Sequence, residues 1–164
     1  MEQRRRAYQI QDSSLTLREA LKDYYEANPH LLDSSEHSSE VREFFRSHDL
    51  IHVVFGCDTS FVHEARADLW TMMGTDVGIR RYLAVAASPV VRALYQDLKT
   101  KLTDEDKVRI RKEVRKGWIQ ALLAPFSIYR RTRRMKRKWP WMQNDQLLDS
   151  PLREIRQEFG IQIF

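Results

Sequence analysis

The stretch that decides the fold covers residues 40–73 and reads EVREFFRSHDLIHVVFGCDTSFVHEARADLWTMM. Both halves place apolar side chains three and four residues apart, which is the spacing of one helix face. Between the halves, Gly56 suits a helix end, and Asp58 or Thr59 suits the start of the next helix. The stretch therefore predicts two antiparallel helices, about Glu40 to Phe55 and about Ser60 to Met73, joined by a tight turn.

The rest of the chain continues the helical pattern. Thr16 and Glu19 have the spacing of a capping box, so a helix is expected to begin there. Thr103 precedes three acidic residues, which suit the positive end of a helix dipole, and Pro125 is expected to limit the helix that follows. Gly160 is placed to end a last short helix.

The composition is that of a helical globular protein. Hydrophobic residues make up 42% and charged residues 31% of the 164 residues, with only five glycines and five prolines. We expect an all-α fold, with one compact domain of about six to eight helices over residues 1–164 and a flexible segment over residues 1–12. The single cysteine, Cys57, excludes an internal disulfide and a thiolate metal cluster.

Membrane-spanning and secreted proteins are not expected. No stretch approaches the roughly 18 uninterrupted apolar residues that a membrane span needs. Arg4, Arg5 and Arg6 are not followed by the apolar run of a secretory signal. The sequence therefore predicts a protein that is cytoplasmic or that lies on a membrane surface.

Positive charge is concentrated in one part of the chain. Residues 107–138 contain thirteen Lys or Arg and one acid, so they carry +12 while the rest of the chain carries −7. Such segregation indicates an anionic partner.

Basic residues beside tryptophan fit an anionic membrane, where each positive charge near the headgroups contributes about 1 kcal/mol to binding. The predicted membrane-surface patch consists of Arg130, Arg131, Arg133, Arg134, Lys136, Arg137, Lys138, Trp139 and Trp141. A solvated charge run and a nucleic-acid surface are the alternatives, but no nucleic-acid-binding motif accompanies the patch.

Four side chains of the deciding stretch are typical metal ligands. His48 and His52 are four residues apart, so they lie on one face of the first helix, about 40° apart in projection. Asp49 belongs to the same turn, and Glu64 lies opposite that turn if the two helices are antiparallel. Two imidazoles and two carboxylates suit a divalent ion of the zinc, iron or manganese type. We therefore expect His48, Asp49, His52 and Glu64 to bind one metal ion.

Other interpretations of these residues stay open. Two histidines on an apolar stripe also occur as ordinary core residues with hydrogen-bonded rings. The pattern departs from the zinc-protease motif H-E-x-x-H because Asp49 replaces the glutamate, which would place a general base differently. A His-Asp phosphohydrolase would need a further histidine upstream, for which His30 and His37 are available in a loop. His63 points about 100° away from Glu64 on a helix, so a surface or supporting position is expected for it.

The same residues carry a family resemblance. The string from His48 to His52, followed by eleven residues and Glu64, resembles the H-D-x-x-H-x(11)-E signature of the coenzyme Q biosynthesis protein four family. The turn at 56–59 and the C-terminal segments Lys138-Trp139-Pro140-Trp141 and 148–156 also look like that family. The resemblance spans about residues 10 to 164, with no departure at the four ligand positions.

The resemblance implies an all-helical, metal-dependent protein of ubiquinone biosynthesis. It implies that His48, Asp49, His52 and Glu64 hold the metal, zinc first, with iron, manganese and magnesium as alternatives. The implied reaction is oxidative decarboxylation at C1 of a polyprenylated ring, with Asp49 as the catalytic residue. The implied partners are the ring precursor, the other proteins of the pathway and an anionic membrane surface. The expected location is the cytoplasmic face of a bacterial inner membrane, and a homo-oligomer stays open.

Two rival functions accompany this expectation. The first is a non-catalytic scaffold that binds prenyl lipids, in which the metal only joins two helices; the second is the phosphohydrolase. A groove for a polyprenyl chain would need apolar residues, which are equally suited to an ordinary core: Trp70, Met72, Met73, Leu83, Val90 and Leu94. Zinc supplies no redox chemistry, so it would act as a Lewis acid, whereas two histidines with carboxylates would also accept ferrous iron.

Overall fold

The computed structural model describes residues 5–29, 39–89, 91–93, 96, 100 and 103–164. Its helices are α1 (Leu17–Ala27), α2 (Ser39–Phe55), α3 (Phe61–Gly74), α4 (Gly78–Ala86), α5 (Asp104–Thr132) and α6 (Leu152–Phe159). Two 3-10 turns cover Ala7–Gln9 and Asp145–Leu147. In these ranges the β pairing amounts to isolated bridges, Thr16 with Pro151 and Thr75 with Trp139, so the all-α prediction is confirmed.

The helix ends follow local signals. The Thr16 hydroxyl accepts a hydrogen bond from the backbone N–H of Glu19 at 3.2 Å, and the Glu19 carboxylate accepts one from the backbone N–H of Thr16 at 2.8 Å. Thr103 and Asp106 form the same reciprocal pair at the start of α5. Gly56 has a φ of +69°, which lets the chain leave α2 and turn at once toward α3. The predicted bounds of α2 and α3 are correct to within one residue.

The C-terminal half of α2 lies at the centre of the molecule. Its residues from Leu50 to Phe55 are buried on every side, which explains why this helix is apolar all round there. The Phe55 ring stacks on Trp70 of α3 with centroids 4.3 Å apart, and α3 packs along α5 on its other side. Gly117 permits this second contact, because a Cβ atom there would collide with the Val62 side chain. The helix that carries both histidines is therefore held rigidly by the core.

Arg156 of α6 ties the N-terminal segment to α2. Its buried guanidinium donates hydrogen bonds to the backbone carbonyl oxygens of Tyr8, Ile10, Gln11, Val53 and Val54. Tyr8 is itself buried, with its ring edge-on to Tyr24 of α1. The expectation of a flexible segment over residues 1–12 is therefore corrected for residues 5–12, since a buried aromatic ring and a buried arginine hold this part of the chain.

Helix α5 differs from the sequence prediction in two ways. It does not end at Pro125 but continues to Thr132, with Pro125 inside the helix on its exposed side. The spacing of Ile110, Val114, Trp118 and Leu122 also predicts a buried apolar stripe, but Trp118 is 54% and Leu122 69% accessible. The buried residues of α5 lie on the side of the helix away from Trp118 and Leu122: Gly117, Ala124 and Ile128. The spacing of Val90, Leu94 and Leu98 predicts a further helix before α5, but these residues lie outside the described ranges.

Candidate metal centre

Three of the four predicted ligands converge. One ligand atom each from His48, His52 and Glu64 lie within 4.8 Å of one another. The histidines come from neighbouring turns of α2, and Glu64 comes from the first turn of α3. Because Glu64 faces His52 and Asp68 faces His48, the two helices are antiparallel, as the tight turn predicts. Two imidazoles and a carboxylate at this separation can hold a metal ion.

The hydrogen bonds of His52 decide which of its ring nitrogens faces Glu64. Its Nδ1 lies 3.1 Å from the backbone carbonyl oxygen of Asp58, which only accepts hydrogen bonds, so Nδ1 carries the proton. Nε2 then carries a lone pair, lies 3.5 Å from a carboxylate oxygen of Glu64, and has no hydrogen-bond partner among the described residues. A histidine that ligates a metal is commonly oriented in this way, through a carbonyl on its other nitrogen.

His48 has an acidic neighbour that the sequence analysis did not identify. Its Nε2 lies 3.6 Å from Oδ1 of Asp68, one turn beyond Glu64 on α3. Burial favours the neutral ring, but the adjacent carboxylates of Asp68 and Glu64 outweigh it and raise the pKa of His48. Asp68 also accepts a hydrogen bond at 2.5 Å from the hydroxyl of Tyr82 on α4. Burial raises the pKa of Asp68, yet its contacts with His48 and Tyr82 bring that pKa below its usual value.

Asp49 lies beside this group but is not among the three converging residues. Its Oδ2 accepts a hydrogen bond at 3.0 Å from the hydroxyl of Tyr25 on α1. Burial raises the pKa of Asp49 despite that hydrogen bond and the nearby histidines. As a metal ligand and catalytic residue, Asp49 stays a prediction.

His63 supports the turn behind the site. Its Nδ1 accepts a hydrogen bond from the backbone N–H of Asp58 at 3.0 Å. The carbonyl of the same Asp58 accepts the proton of His52 Nδ1, and its carboxylate accepts the backbone N–H of Ser60 at 2.8 Å. His63 therefore positions the residue that orients His52, which agrees with the supporting position expected for it.

Accessibility changes across the site. His52 is fully buried, with its ring stacked on Tyr24, and the His48 side chain is 16% exposed. Glu64 and Asp68, in contrast, expose 42% and 49% of their side chains. The histidines of the site thus belong to the core, and the carboxylates border solvent on the α3 side.

The predicted membrane-surface patch is corrected at its two tryptophans. Trp139 is 0% and Trp141 4% exposed, because both rings pack into the core, Trp139 on Phe159 and Trp141 on Phe44. Buried rings are not available to a membrane. Three of the basic residues contact the C-terminal residues of the chain: Arg131 donates to the carbonyls of Gln162 and Ile163, Lys136 to Gln157, and Arg137 to the Glu158 carboxylate. Arg130, Arg133, Arg134 and Lys138 are exposed.

Other sequence candidates have mixed outcomes. Of the residues considered for a lipid groove, Trp70 is fully buried, Met72 and Met73 pack against the core, and Leu83 is 55% exposed; Val90 and Leu94 are outside the described ranges. His30 and His37, which a phosphohydrolase would need, also lie outside those ranges. Asp68 was missed, although its spacing of four residues from Glu64 repeats the spacing of His48 and His52.

No protein-family model, curated protein or solved structure matches the chain. The family resemblance rests on the motifs quoted above, and the convergence of His48, His52 and Glu64 is an independent observation on the same residues. No helix in the described part of the chain is long and apolar enough to cross a bilayer.

Proposed function

We propose that the protein binds a divalent metal ion, with zinc as the preferred ion, at His48, His52 and Glu64. With this ion it would act on a polyprenylated ring precursor of ubiquinone at a membrane surface. The observation that carries the proposal is the contact between His52 and Glu64. A buried lone pair of Nε2 faces a carboxylate oxygen at 3.5 Å, and both groups are hydrogen-bond acceptors. Two acceptors in this position repel one another unless a proton or a cation lies between them.

A metal ion fits this position. The proton of His52 is held at Nδ1 by the Asp58 carbonyl, so the lone pair of Nε2 faces Glu64. A divalent ion would use this lone pair directly, together with His48 and Glu64. The donor set of two histidines and a carboxylate suits zinc and also ferrous iron.

The reaction supported by the family resemblance replaces a ring carboxylate by a hydroxyl group. In balanced form, the carboxylic acid and water give the hydroxyl compound, carbon dioxide, two protons and two electrons. Dioxygen or a reducible cofactor is therefore required as a separate two-electron acceptor. A bound divalent ion would polarise the carboxylate and the neighbouring phenol oxygen of the ring. Asp49, whose pKa is raised by burial, is placed beside the histidines and is proposed to exchange one of the protons.

Helix α5 supports attachment to a membrane. Large apolar side chains recur at spacings of three and four residues on its exposed side: Trp118, Leu122, Phe126 and Tyr129, with Ile119 and Leu123 beside them. A contiguous apolar surface of this kind marks an interaction site. Exposed cations border it, including Lys112, Arg115 and Arg130. Apolar residues flanked by cations match the acyl region and the headgroups of an anionic bilayer.

A non-catalytic scaffold is the second candidate, and the exposed apolar face of α5 is the observation that favours it. A lipid-binding organiser needs such a face, whereas catalysis at the metal centre does not by itself require one. The two functions differ in what the metal does, because a scaffold needs the ion only to join α2 to α3. They are separated by substitutions that leave the fold intact and change the site.

The test is a profile of quinone intermediates in a strain that lacks the gene. The strain is complemented with the wild-type chain, with Glu64→Ala, or with Glu43→Ala, an exposed glutamate on α2 that serves as the matched control. We expect a carboxylated prenyl-ring intermediate to accumulate with Glu64→Ala but not with the wild type or the control. Normal quinone levels with a well-expressed Glu64→Ala protein would refute the catalytic function. No quinone defect in the deletion strain would refute the assignment to this pathway.

A further inference from the structure

A polar cavity of about 730 Å³ lies between the N-terminal segment, the chain that follows α5, and helix α6. Its charged lining residues are Arg134, Lys136, Arg153 and Arg156, with Asp12 and Glu154. We propose that this cavity binds a phosphate group, carried either by a soluble compound or by a lipid headgroup. None of the residues of the candidate metal centre lines the cavity, so the proposed phosphate site is independent of the metal.

The size and the charge of the cavity suit a small anion. Pockets that bind small molecules commonly have volumes of about 300 to 1,000 Å³. The lining contains four cations and two carboxylates, which leaves an excess of two positive charges. A phosphate monoester carries about −1.5 to −2 at neutral pH, so its charge matches this excess.

Both carboxylates of the lining lie beside a cation. Glu154 is 3.9 Å from the Arg153 guanidinium. Burial lowers the pKa of Arg156 to about 10, and the nearby charge of Asp12 favours the protonated form, so Arg156 is charged at neutral pH. In the described part of the chain, the remaining positive charge, at positions 134 and 136, has no carboxylate paired with it. This uncompensated charge is what a bound anion would neutralise.

Backbone contacts hold Arg134 and Lys136 against the end of α6. The Lys136 backbone N–H donates to the Phe159 carbonyl at 2.9 Å, and Gly160 leaves the helix with a φ of +70°. A Cβ atom on Gly160 would lie 2.9 Å from the Lys136 nitrogen and 3.2 Å from the Arg134 carbonyl oxygen, so glycine permits this approach. The Lys136 ammonium donates to the Gln157 carbonyl at 3.1 Å and has two further donors. Both cations therefore extend from a backbone that is fixed at the cavity.

The arginines of the cavity differ in what they can offer a ligand. The Arg156 guanidinium already donates to five backbone carbonyl oxygens, so it contributes charge but no free donor. Arg134 and Arg153 are exposed, and their guanidinium groups make no hydrogen bond within the described ranges. A guanidinium binds phosphate oxygens through two parallel N–H bonds. Arg134 and Arg153, with the Lys136 ammonium, would thus bind the phosphate directly.

The experiment measures the binding of pyrophosphate to the full chain by calorimetry at fixed ionic strength. We expect Arg134→Gln and Arg153→Gln each to weaken binding about tenfold, because each removes a charge-assisted donor. Arg133→Gln is the matched control, since it removes the same charge from an exposed neighbour that does not line the cavity, and it should stay within about twofold. Equal losses in all three variants would reveal a general charge effect and overturn the site. Undiminished binding in Arg134→Gln and Arg153→Gln would place the pyrophosphate elsewhere and also overturn it.

Vesicles distinguish the two sources of the phosphate. Phosphatidic acid presents a terminal phosphate monoester and phosphatidylglycerol does not, so the two are compared in vesicles of equal surface charge. A preference for phosphatidic acid that Arg134→Gln removes would identify a lipid headgroup as the ligand. Pyrophosphate binding without this preference would identify a soluble phosphate compound. A chain that binds no pyrophosphate and attaches equally to both kinds of vesicle would refute the proposal.

Discussion

His52 and Glu64 come from different helices, and their Nε2 and Oε2 atoms lie 3.5 Å apart with His52 fully buried. The proton of the His52 ring is held on the far side by the Asp58 carbonyl. The pair therefore presents two acceptors to the same small volume. This relationship is the physical basis of the proposed metal site, and the first two predictions below depend on it.

The first prediction concerns metal content. The purified wild-type chain should carry about one divalent ion, and His52→Ala should remove most of it, since the buried nitrogen ligand is lost. Glu43→Ala is the control, because Glu43 is exposed on α2 and has no part in the site. Elemental analysis after dialysis measures both. Full occupancy in His52→Ala would exclude the site.

The second prediction separates catalysis from a structural role of the metal. Asp49→Asn keeps the size of the side chain and an oxygen that can accept the Tyr25 hydroxyl, so the unfolding free energy should change by less than about 1 kcal/mol. Quinone production should nevertheless be abolished, because an amide cannot exchange the proton. Chemical denaturation and quinone levels in complemented cells are the measurements. Normal quinone levels would remove Asp49 from the mechanism.

The third prediction concerns the exposed face of α5. Leu122→Glu combined with Phe126→Glu should release the protein from anionic vesicles, because both side chains are more than 60% exposed and the change inserts charge among acyl chains. Gln120→Glu adds a charge at another exposed position of the helix and should have little effect. High salt should also weaken binding, since the Debye screening length falls to about 3 Å at 1 M ionic strength. Vesicle co-sedimentation tests this, and equal binding to neutral and anionic vesicles would contradict it.

The fourth prediction concerns the stability provided by Arg156. Arg156→Lys should lower the free energy of unfolding by about 3 kcal/mol or more, because lysine has three donors for five buried carbonyl acceptors and cannot match the planar guanidinium. Arg153→Lys, exposed on the same helix, should change it by less than about 0.5 kcal/mol. Urea denaturation measures both. Equal effects of the two substitutions would show that the buried contacts contribute little.

The fifth prediction is a pH dependence at the start of α1. The pKa of Glu19 is lowered because its carboxylate accepts hydrogen bonds from the backbone N–H and the hydroxyl of Thr16. A carboxyl whose pKa is lower in the folded state stabilises the fold above its unfolded pKa, near 4.3, and loses this effect as the pH falls through the folded value. Glu19→Gln should therefore lower the Tm more at pH 7 than at pH 3. A difference that is independent of pH would argue against the capping interaction.

Local sequence determined the ends of most helices and part of the candidate metal centre. Capping pairs and Gly56 are local signals, because the hydrogen bonds and the positive φ involve residues within one turn. The spacing of His48 and His52 places both rings on one side of α2 whatever surrounds the helix. A tight turn after Gly56 then brings Glu64 opposite them, and the predicted convergence of these three side chains is confirmed.

Tertiary packing decided what each helix face meets. Asp49 and Asp68 both lie beside the histidines. Asp49 accepts a hydrogen bond from Tyr25 of α1, whereas Asp68 accepts one from Tyr82 of α4. Trp139 and Trp141 follow a basic run and yet are buried, because the chain beyond α5 folds back over the core. The spacing of residues along a helix predicts which side chains share a face. The element that packs against that face is decided by contacts between residues far apart in sequence. For this reason the histidine turn of α2 could be predicted from the sequence, whereas the contacts of Asp49 and Asp68 required the structure.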